Sequence, residues 1–236
     1  LMNNLDITNE VRSRLALALD VDDLVEAGRF GRRMLPWFSV AKVGLELFAA
    51  SGPEAVGAFV DQGYEVFLDL KLHDIPTTVG KTAKVLGSLG VSYVTVHSSG
   101  GVDMLAAAVD GLNEGASAAG LTPPMVLAVT VLTSDSEAPG SLLQERLGYA
   151  VAADCGGVVC AGSDLAEVSL VAPELLTVVP GIRPQGVAAN DQGRTATPRE
   201  AIKQGAGILV IGRAVTASSE PEEAAANIAA AVAEAI

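Results

Sequence analysis

The sequence predicts a single-domain α/β protein in which eight parallel strands close into a (β/α)8 TIM barrel. Eight short β-type runs recur along the 236 residues, and helix-like segments rich in Ala and Leu separate them. Strands that alternate with helices form right-handed βαβ units and a parallel sheet, and eight such units in this length match a barrel. A doubly wound open sheet is the alternative. It would need fewer strands and usually has a glycine-rich turn after the first strand, and no such turn follows Asp20.

The β-type runs follow one another along the whole chain. In order they cover residues 15–20, 38–43, 65–69, 93–97, 125–130, 157–160, 176–179 and 208–211. The clearest helix-like segments are 104–112 and 222–236. We therefore predict one domain over residues 1–236, of which 1–13 form a short N-terminal extension. The longest irregular stretch is 180–198, between the seventh run and a late helix.

Composition limits the possible partners. Half of the residues are hydrophobic and 18% are charged, so a sizeable core can be buried. The formal net charge of −13 argues against nucleic acid or an anionic membrane as partner. A locally basic pocket could still bind a small anion. No apolar run reaches the ~18 residues of a membrane span, and the N-terminal residues do not resemble a signal peptide. Cys155 and Cys160 are expected to be reduced core thiols, and we predict a cytoplasmic protein.

Charged residues gather where the third run ends. Side chains alternate along a strand, so Asp69 and Lys71 should point to the same face; Lys42 ends the neighbouring run and Asp74 follows closely. The carboxyl ends of barrel strands carry active sites. One interpretation is a salt-bridge network at the rim, with exposed pairs worth roughly 0–1 kcal/mol. The other is a partly desolvated site, in which a lysine between carboxylates stays protonated and can donate a proton.

Loops after the last two runs indicate an anion site. Residues 180–183 and 211–214 each contain glycine and arginine, in the two loops with which barrels often bind phosphate. Backbone N–H groups and an arginine at such junctions bind anions. Asp20 could hold sugar hydroxyls or cap the following helix, and both interpretations stay open. His97 is most simply a rim or core histidine.

These stretches resemble the orotidine 5′-phosphate decarboxylase family of bacterial type, from residue 15 to about 217. The most specific stretch is Phe-Leu-Asp-Leu-Lys-Leu-His-Asp-Ile-Pro-Thr-Thr-Val at 67–79. The supporting stretches are Ala-Leu-Asp at 18–20, Lys-Val-Gly at 42–44, Val-Thr-Val-His at 94–97, Val-Thr-Val-Leu-Thr at 129–133, Pro-Gly-Ile-Arg at 180–183, Asp-Gln at 191–192 and Ile-Gly-Arg at 211–213.

The resemblance implies conversion of orotidine 5′-monophosphate to UMP and CO2, the last step of de novo pyrimidine synthesis, without a metal or organic cofactor. Lys42, Asp69, Lys71 and Asp74 match the charged tetrad of that family. Lys71 would protonate C6 of the pyrimidine, Asp69 would press against the substrate carboxylate, and Lys42 would meet the ribose and order Asp69. The resemblance also implies a homodimer in which Asp74, with Thr78 alongside, completes the partner's site.

The remaining contacts with substrate are implied in the same way. Asp20 would bind ribose hydroxyls and Thr133 the pyrimidine edge. The phosphate side would be bound by Arg183, Gln192, Gly212 and Arg213. Gln185 is the alternative to Gln192, which is favoured because Asp-Gln precedes Thr197 and Pro198 closely. The loop at about 181–197 would be a lid that orders when phosphate binds.

Two other classes compete with this interpretation. Mg-dependent barrels of the same superfamily, such as a keto-sugar-phosphate decarboxylase or a hexulose-phosphate synthase, share an Asp-x-Lys-x-x-Asp pattern. They place an acidic metal ligand where this chain has Lys42, whose charge would repel Mg²⁺. A non-catalytic barrel that binds nucleotides as a sensor or scaffold would tolerate loss of the tetrad, yet all four charges are present.

Overall fold

The computed structural model describes residues 7–132, 140–183 and 196–236, and in them eight parallel strands close into a barrel. The strands are β1 Leu15–Leu19, β2 Val40–Gly44, β3 Glu65–Leu72, β4 Tyr93–His97, β5 Met125–Val129, β6 Gly157–Val159, β7 Leu176–Val179 and β8 Ile208–Ile211. Each strand pairs with the next, and β8 closes the barrel against β1. The predicted (β/α)8 TIM barrel is confirmed, and the open-sheet alternative is wrong.

Helices surround the barrel and connect its strands. Those within the described residues are α1 Asn9–Ser13, α2 Leu24–Met34, α3 Leu45–Ser51, α4 Pro53–Val60, α5 Pro76–Gly87, α6 Gly101–Ala119, α7 Gly140–Ala152, α8 Leu165–Val171, α9 Pro198–Lys203, α10 Arg213–Thr216 and α11 Pro221–Ala233. None of these helices is both long and apolar enough to cross a membrane.

The observed strand boundaries differ from the predicted ones mainly at the end of β3, in the charged segment at residues 69–74. The runs 93–97, 176–179 and 208–211 agree with β4, β7 and β8. The first, fifth and sixth runs end one residue too late, and β2 is Val40–Gly44 instead of 38–43. By contrast, β3 continues to Leu72, three residues beyond the predicted end at Asp69. Helix α6 is longer than the predicted 104–112, and α11 ends at Ala233.

The core forms two apolar layers, one on each side of the sheet. The layer between sheet and helices is the larger and includes Phe38, Phe59 and Met104. The layer inside the barrel is small and includes Ala18 and Phe67. Strands with both faces covered are apolar almost throughout, which explains why the β-type runs stand out in the sequence.

Both cysteines are free and buried, in agreement with the expected core thiols. Cys155 packs in the layer between sheet and helices. Burial, with a smaller contribution from the charge of Asp154, raises the pKa of the Cys155 thiol to about 12. This thiol is therefore protonated at neutral pH and unreactive as a nucleophile.

Helices α5 and α6 pack with their backbones in contact because glycines face the neighbouring helix. A β-carbon on Gly111 would overlap the carbonyl oxygen of Gly80, and one on Gly115 would overlap the carbonyl oxygen of Lys84. Helix α5 begins directly after the charged segment of β3. This close packing therefore fixes the chain that follows Asp74.

Gly111→Ala should destabilise the protein by about 1–3 kcal/mol, since the added methyl group forces the two helices apart. Gly148→Ala in α7 is the matched control, because a β-carbon there meets no heavy atom within 4 Å. The control should be neutral or more stable by up to about 1 kcal/mol, since alanine favours helix. Urea unfolding at equal protein concentration measures both changes, and equal stability of the two variants would contradict the close packing.

Candidate active site

The Asp69 carboxylate lies between two lysines at the carboxyl end of the barrel. Lys71 Nζ donates to Asp69 Oδ1 at 2.7 Å, and Lys42 Nζ is 3.7 Å from Asp69 Oδ2. Lys42 also donates to Asp20 Oδ1 at 2.9 Å. The side chains of Asp69 and Lys42 are only 13% and 10% exposed. Asp69 and Lys42 are therefore largely shielded from solvent, which favours a partly desolvated site over a solvated network of ion pairs at the rim.

The environment of Asp69 keeps its carboxylate ionised. Burial by itself would raise the pKa of Asp69, but the charges of Lys42 and Lys71 and the hydrogen bonds from Lys71 and Thr95 outweigh it. The net result is a pKa below the ordinary value of 3.8. At neutral pH the site thus holds a largely buried anion with a lysine side chain on either side of it.

Lys71 reaches Asp69 by a different route from the one that strand alternation predicts. The pairing of β3 with β4 shifts between Leu68 and Leu72, and Lys71 lies in the left-handed region with φ 50°. Few residues other than glycine adopt this conformation. The side chains of Asp69 and Lys71 meet as expected, but an irregular strand brings them together.

Thr95 of β4 contacts both residues, and sequence reasoning did not select it. Its hydroxyl donates to Asp69 Oδ1 and accepts from the Lys71 backbone N–H, both at 2.9 Å. The local signal was weak: Thr95 shares one face of β4 with Tyr93 and His97 and stands between the apolar Val94 and Val96. Its importance arises only from the irregular pairing with β3.

A cavity of about 460 Å³ opens beside the cluster. Residues of the barrel interior, such as Ala18 and Phe67, contribute its apolar wall. This volume suits a small-molecule ligand of nucleotide size. The lining residues are Ala18, Asp20, Lys42, Phe67, Asp69, Lys71, Val129, Val131, Leu132, Val159, Cys160, Pro180, Gly181, Arg183, Val210, Gly212, Arg213 and Thr216.

The two loops predicted to bind an anion both reach this cavity. Arg183 is 7% exposed, and its guanidinium donates to the Ile182 carbonyl at 2.8 Å. Its backbone N–H donates to the Ala196 carbonyl at 2.9 Å, which joins the two ends of the loop between them. Gly212 and Arg213 line the cavity after β8. The cavity therefore has two arginines at the positions where barrels bind phosphate.

Asp20 lines the cavity and does not cap helix α2. The N-cap of α2 is Asp23, whose carboxylate accepts from the backbone N–H groups of Val25 and Glu26 at 2.8 and 2.9 Å. The capping interpretation of Asp20 is therefore wrong. A β-carbon on Gly44 would lie 2.9 Å from Asp20 Oδ1 and 3.1 Å from Lys42 Nζ. Glycine at this position thus leaves the space in which the Asp20–Lys42 pair forms.

Asp74 and Thr78 are not among the described residues that line the cavity. Both are exposed, and Asp74 Oδ1 accepts from the Ile75 backbone N–H at 2.7 Å. Within 7–132, 140–183 and 196–236, Asp74 has no ion pair with Lys71. Thr133 and Gln192, like Gln185, lie outside the described residues, as does most of the expected lid at 181–197.

The two histidines lie side by side near Lys71 without lining the cavity. Their ring centroids are 5.7 Å apart, and His73 Nδ1 is 3.4 Å from Ser99 Oγ. Chiefly burial, and then the neighbouring His73 and Lys71, lower the pKa of His97 below its ordinary 6.5. His97 is thus neutral at pH 7, and it fits the rim position expected for it.

Within residues 7–132, 140–183 and 196–236, no group of three or more His, Cys, Asp or Glu side chains is arranged to hold a metal ion. The Asp20 and Asp69 carboxylates of the cavity both contact Lys42.

A parallel barrel with ionised side chains and arginines around one cavity at the strand carboxyl ends belongs to the class of (β/α)8-barrel enzymes. Residues 13–228 match the family described as orotidine 5′-phosphate decarboxylase / HUMPS. The chain belongs to this family.

Relatives from several bacteria agree with this assignment. An orotidine 5′-phosphate decarboxylase of Anaeromyxobacter sp. (strain K) is 44% identical over 228 residues, which cover 92% of this chain and 97% of the relative. One from Lactiplantibacillus plantarum is 44% identical over 199 residues, covering 79% and 84%. The crystal structure of orotidine 5′-phosphate decarboxylase from Lactobacillus acidophilus superposes with a TM-score of 0.76 at 34% identity, covering 93% and 99%.

Proposed function

We propose that this chain decarboxylates orotidine 5′-monophosphate to UMP and CO2 in de novo pyrimidine biosynthesis, in the cytoplasm and without a metal or organic cofactor. The observation that carries the proposal is the Asp69 carboxylate held between Lys42 and Lys71 on the wall of the cavity. Membership of the family and the named bacterial relatives support the same reaction.

Lys71 and Asp69 carry the chemical step. When the bond between C6 and the carboxylate carbon breaks, CO2 leaves and the electron pair stays on C6. The Lys71 ammonium donates a proton to C6, which gives UMP and a neutral amine that regains its proton from water. The ionised Asp69 repels the substrate carboxylate, and this repulsion disappears as CO2 forms, so the barrier falls.

Lys42 and Asp20 hold the ribose. Their side chains form a 2.9 Å ion pair that faces the cavity, so an ammonium and a carboxylate are both available to sugar hydroxyls. Lys42 also neutralises Asp69 from the side opposite Lys71. Thr133 would contact the pyrimidine edge, as the family resemblance implies.

The phosphate is held by Arg183, Gly212 and Arg213, together with Gln192 from the lid. Two guanidinium groups on the cavity wall provide charge-assisted hydrogen bonds to a phosphodianion. Closure of the 181–197 loop over the phosphate would use binding energy remote from the pyrimidine to hold the ring against Asp69.

The functional unit is a homodimer with shared sites. Asp74 and Thr78 are exposed and absent from the described lining of the cavity of their own chain, although Asp74 is only three residues from Lys71 and Thr78 lies in the first turn of α5. We infer that they reach the partner's cavity, where Asp74 completes the charged tetrad. Close packing of α5 on α6 gives this protruding segment a rigid base.

Lys42 favours this reaction over the Mg-dependent chemistry of related barrels. Its ammonium lies 2.9 Å from Asp20 and 3.7 Å from Asp69, where a divalent cation would need a carboxylate instead. Turnover should therefore persist in EDTA.

Lys71→Ala should lower kcat on orotidine 5′-monophosphate by a factor on the order of 10²–10⁴ or more, since the proton donor is lost. The loss of absorbance of the substrate measures turnover, and circular dichroism checks the fold. Lys203→Ala removes an exposed lysine from α9 and should keep full activity. Substantial decarboxylation by a folded Lys71→Ala protein would remove Lys71 from its assigned role.

Arg213→Ala should weaken kcat/KM for orotidine 5′-monophosphate roughly 10- to 100-fold, as expected for one lost hydrogen bond to a charged group. The slow reaction of orotidine, which has no phosphate, should change far less. Arg32→Ala, an exposed arginine of α2 outside the cavity, serves as control. Equal losses for both substrates would contradict phosphate recognition by Arg213.

Mixing inactive Lys71→Ala and Asp74→Ala chains should restore activity, because a hybrid dimer contains one site with both native residues. The expected recovery approaches one quarter of wild-type activity per chain for random exchange of equal amounts. Mass spectrometry of differently tagged chains verifies the exchange. Verified hybrids without activity would argue against the shared site.

A further inference from the structure

Thr95 has no role in the proposal above, yet its side chain bonds two of the residues to which the proposal assigns the chemical step. It is wholly buried in the middle of β4, and its hydroxyl bonds Asp69 and Lys71 at the same time. We propose that Thr95 is a positioning residue that holds the proton donor and its counter-anion in their reactive arrangement. The inference rests on the proposed function for its catalytic consequence.

The irregular pairing of β3 explains why a side chain is needed here. Leu68 pairs with Val94 and Leu72 pairs with Val96, so residues 69–71 lie opposite the single residue Thr95. Extra residues in one strand are left without ladder partners. The Thr95 hydroxyl accepts the hydrogen bond of the Lys71 N–H, which a regular ladder would have given to a backbone carbonyl.

The direction of both hydrogen bonds follows from the chemistry of the groups. A backbone N–H can only donate, so the Thr95 hydroxyl accepts from Lys71. An ionised carboxylate can only accept, so the one hydroxyl proton points to Asp69 Oδ1. The buried hydroxyl is thus fully satisfied only while Asp69 Oδ1 accepts its proton and Lys71 keeps its backbone conformation.

This arrangement holds both catalytic groups against forces that would displace them. Lys71 has φ 50°, a strained conformation for a residue with a β-carbon, and its hydrogen bond to Thr95 stabilises that conformation. Asp69 Oδ1 accepts from both Lys71 Nζ and Thr95 Oγ1. A carboxylate bound in this way cannot turn aside when the substrate carboxylate approaches it, so the repulsion acts on the substrate.

The test replaces the hydroxyl with a methyl group of similar size. Thr95→Val should lower kcat on the order of 10- to 100-fold, as expected for a hydrogen bond to a charged group. KM should change little, because the phosphate and ribose contacts are not altered. Thr95→Ser retains the hydroxyl and should have a kcat close to that of the wild type, whereas Thr95→Ala should lose activity as Thr95→Val does. If Thr95→Val does not fold, comparison of Thr95→Ser with Thr95→Ala provides the same test.

Thr177→Val is the matched control. The Thr177 hydroxyl also accepts from a backbone N–H, that of Gly207 at 2.8 Å, and donates to an oxygen, the Gly205 carbonyl at 2.9 Å. It lies in β7 and outside the cavity lining. Its loss should reduce stability without lowering kcat. Equal kcat for Thr95→Val and Thr177→Val, in an enzyme whose wild type is active, would overturn the inference and leave the proposed function intact.

A second measurement does not depend on turnover. The hydrogen bond from Thr95 favours the ionised form of Asp69, so Thr95→Val should raise the pKa of that carboxyl, followed by NMR of ¹³C-labelled aspartate. Thr95→Ser and Thr177→Val should leave this pKa as in the wild type. If the wild type does not decarboxylate orotidine 5′-monophosphate, the proposed function fails, while an unchanged pKa in Thr95→Val would overturn the positioning role by itself.

Discussion

Burial of the Asp69 carboxylate is the constraint on which the site depends. Removing an ionised carboxylate from water costs several kcal/mol unless cations and hydrogen bonds replace the lost solvent. Here Lys42 contacts one oxygen, while Lys71 and Thr95 share the other. Each of these groups is placed to satisfy Asp69, so loss of any one leaves a buried charge incompletely compensated. Inside the apolar barrel, Asp69 and the three side chains that contact it therefore depend on one another.

The barrel provides this unit through the register of neighbouring strands. Pairing of β1 with β2 sets Ala18 opposite Lys42, and pairing of β2 with β3 sets Gly44 opposite Asp69. Gly44 leaves room for the Asp20–Lys42 pair where any side chain would intrude. The regular strands therefore aim Lys42 and Asp69 at one point. The irregular end of β3 then brings Lys71 to the same point.

Much of this could be predicted from sequence, because parallel strands covered on both faces leave continuous apolar runs and the charges follow those runs. The contact between Asp69 and Lys71 was predicted from regular alternation, although the strand is irregular there. The bulge and the left-handed Lys71 depend on pairing with β4, a long-range feature with no local pattern in the sequence. Thr95 was missed for the same reason: a threonine in a strand is ordinary until its partner strand is known. Asp20 remained ambiguous until Asp23 was seen to cap α2.

The negative net charge of the protein makes the arginines of the cavity more important for binding an anion. A net charge of −13 repels an anionic nucleotide at long range, but salt screens exposed charges beyond about 8–10 Å. Attraction must therefore come from groups inside the cavity, where Arg183 is almost fully buried and its charge is less screened. Under the proposed function the phosphate meets this charge on one wall while the pyrimidine carboxylate meets Asp69. Attraction of the phosphate would thus hold the pyrimidine carboxylate against the negative charge of Asp69. The hydrogen bond from Thr95 would keep the Asp69 carboxylate from moving away.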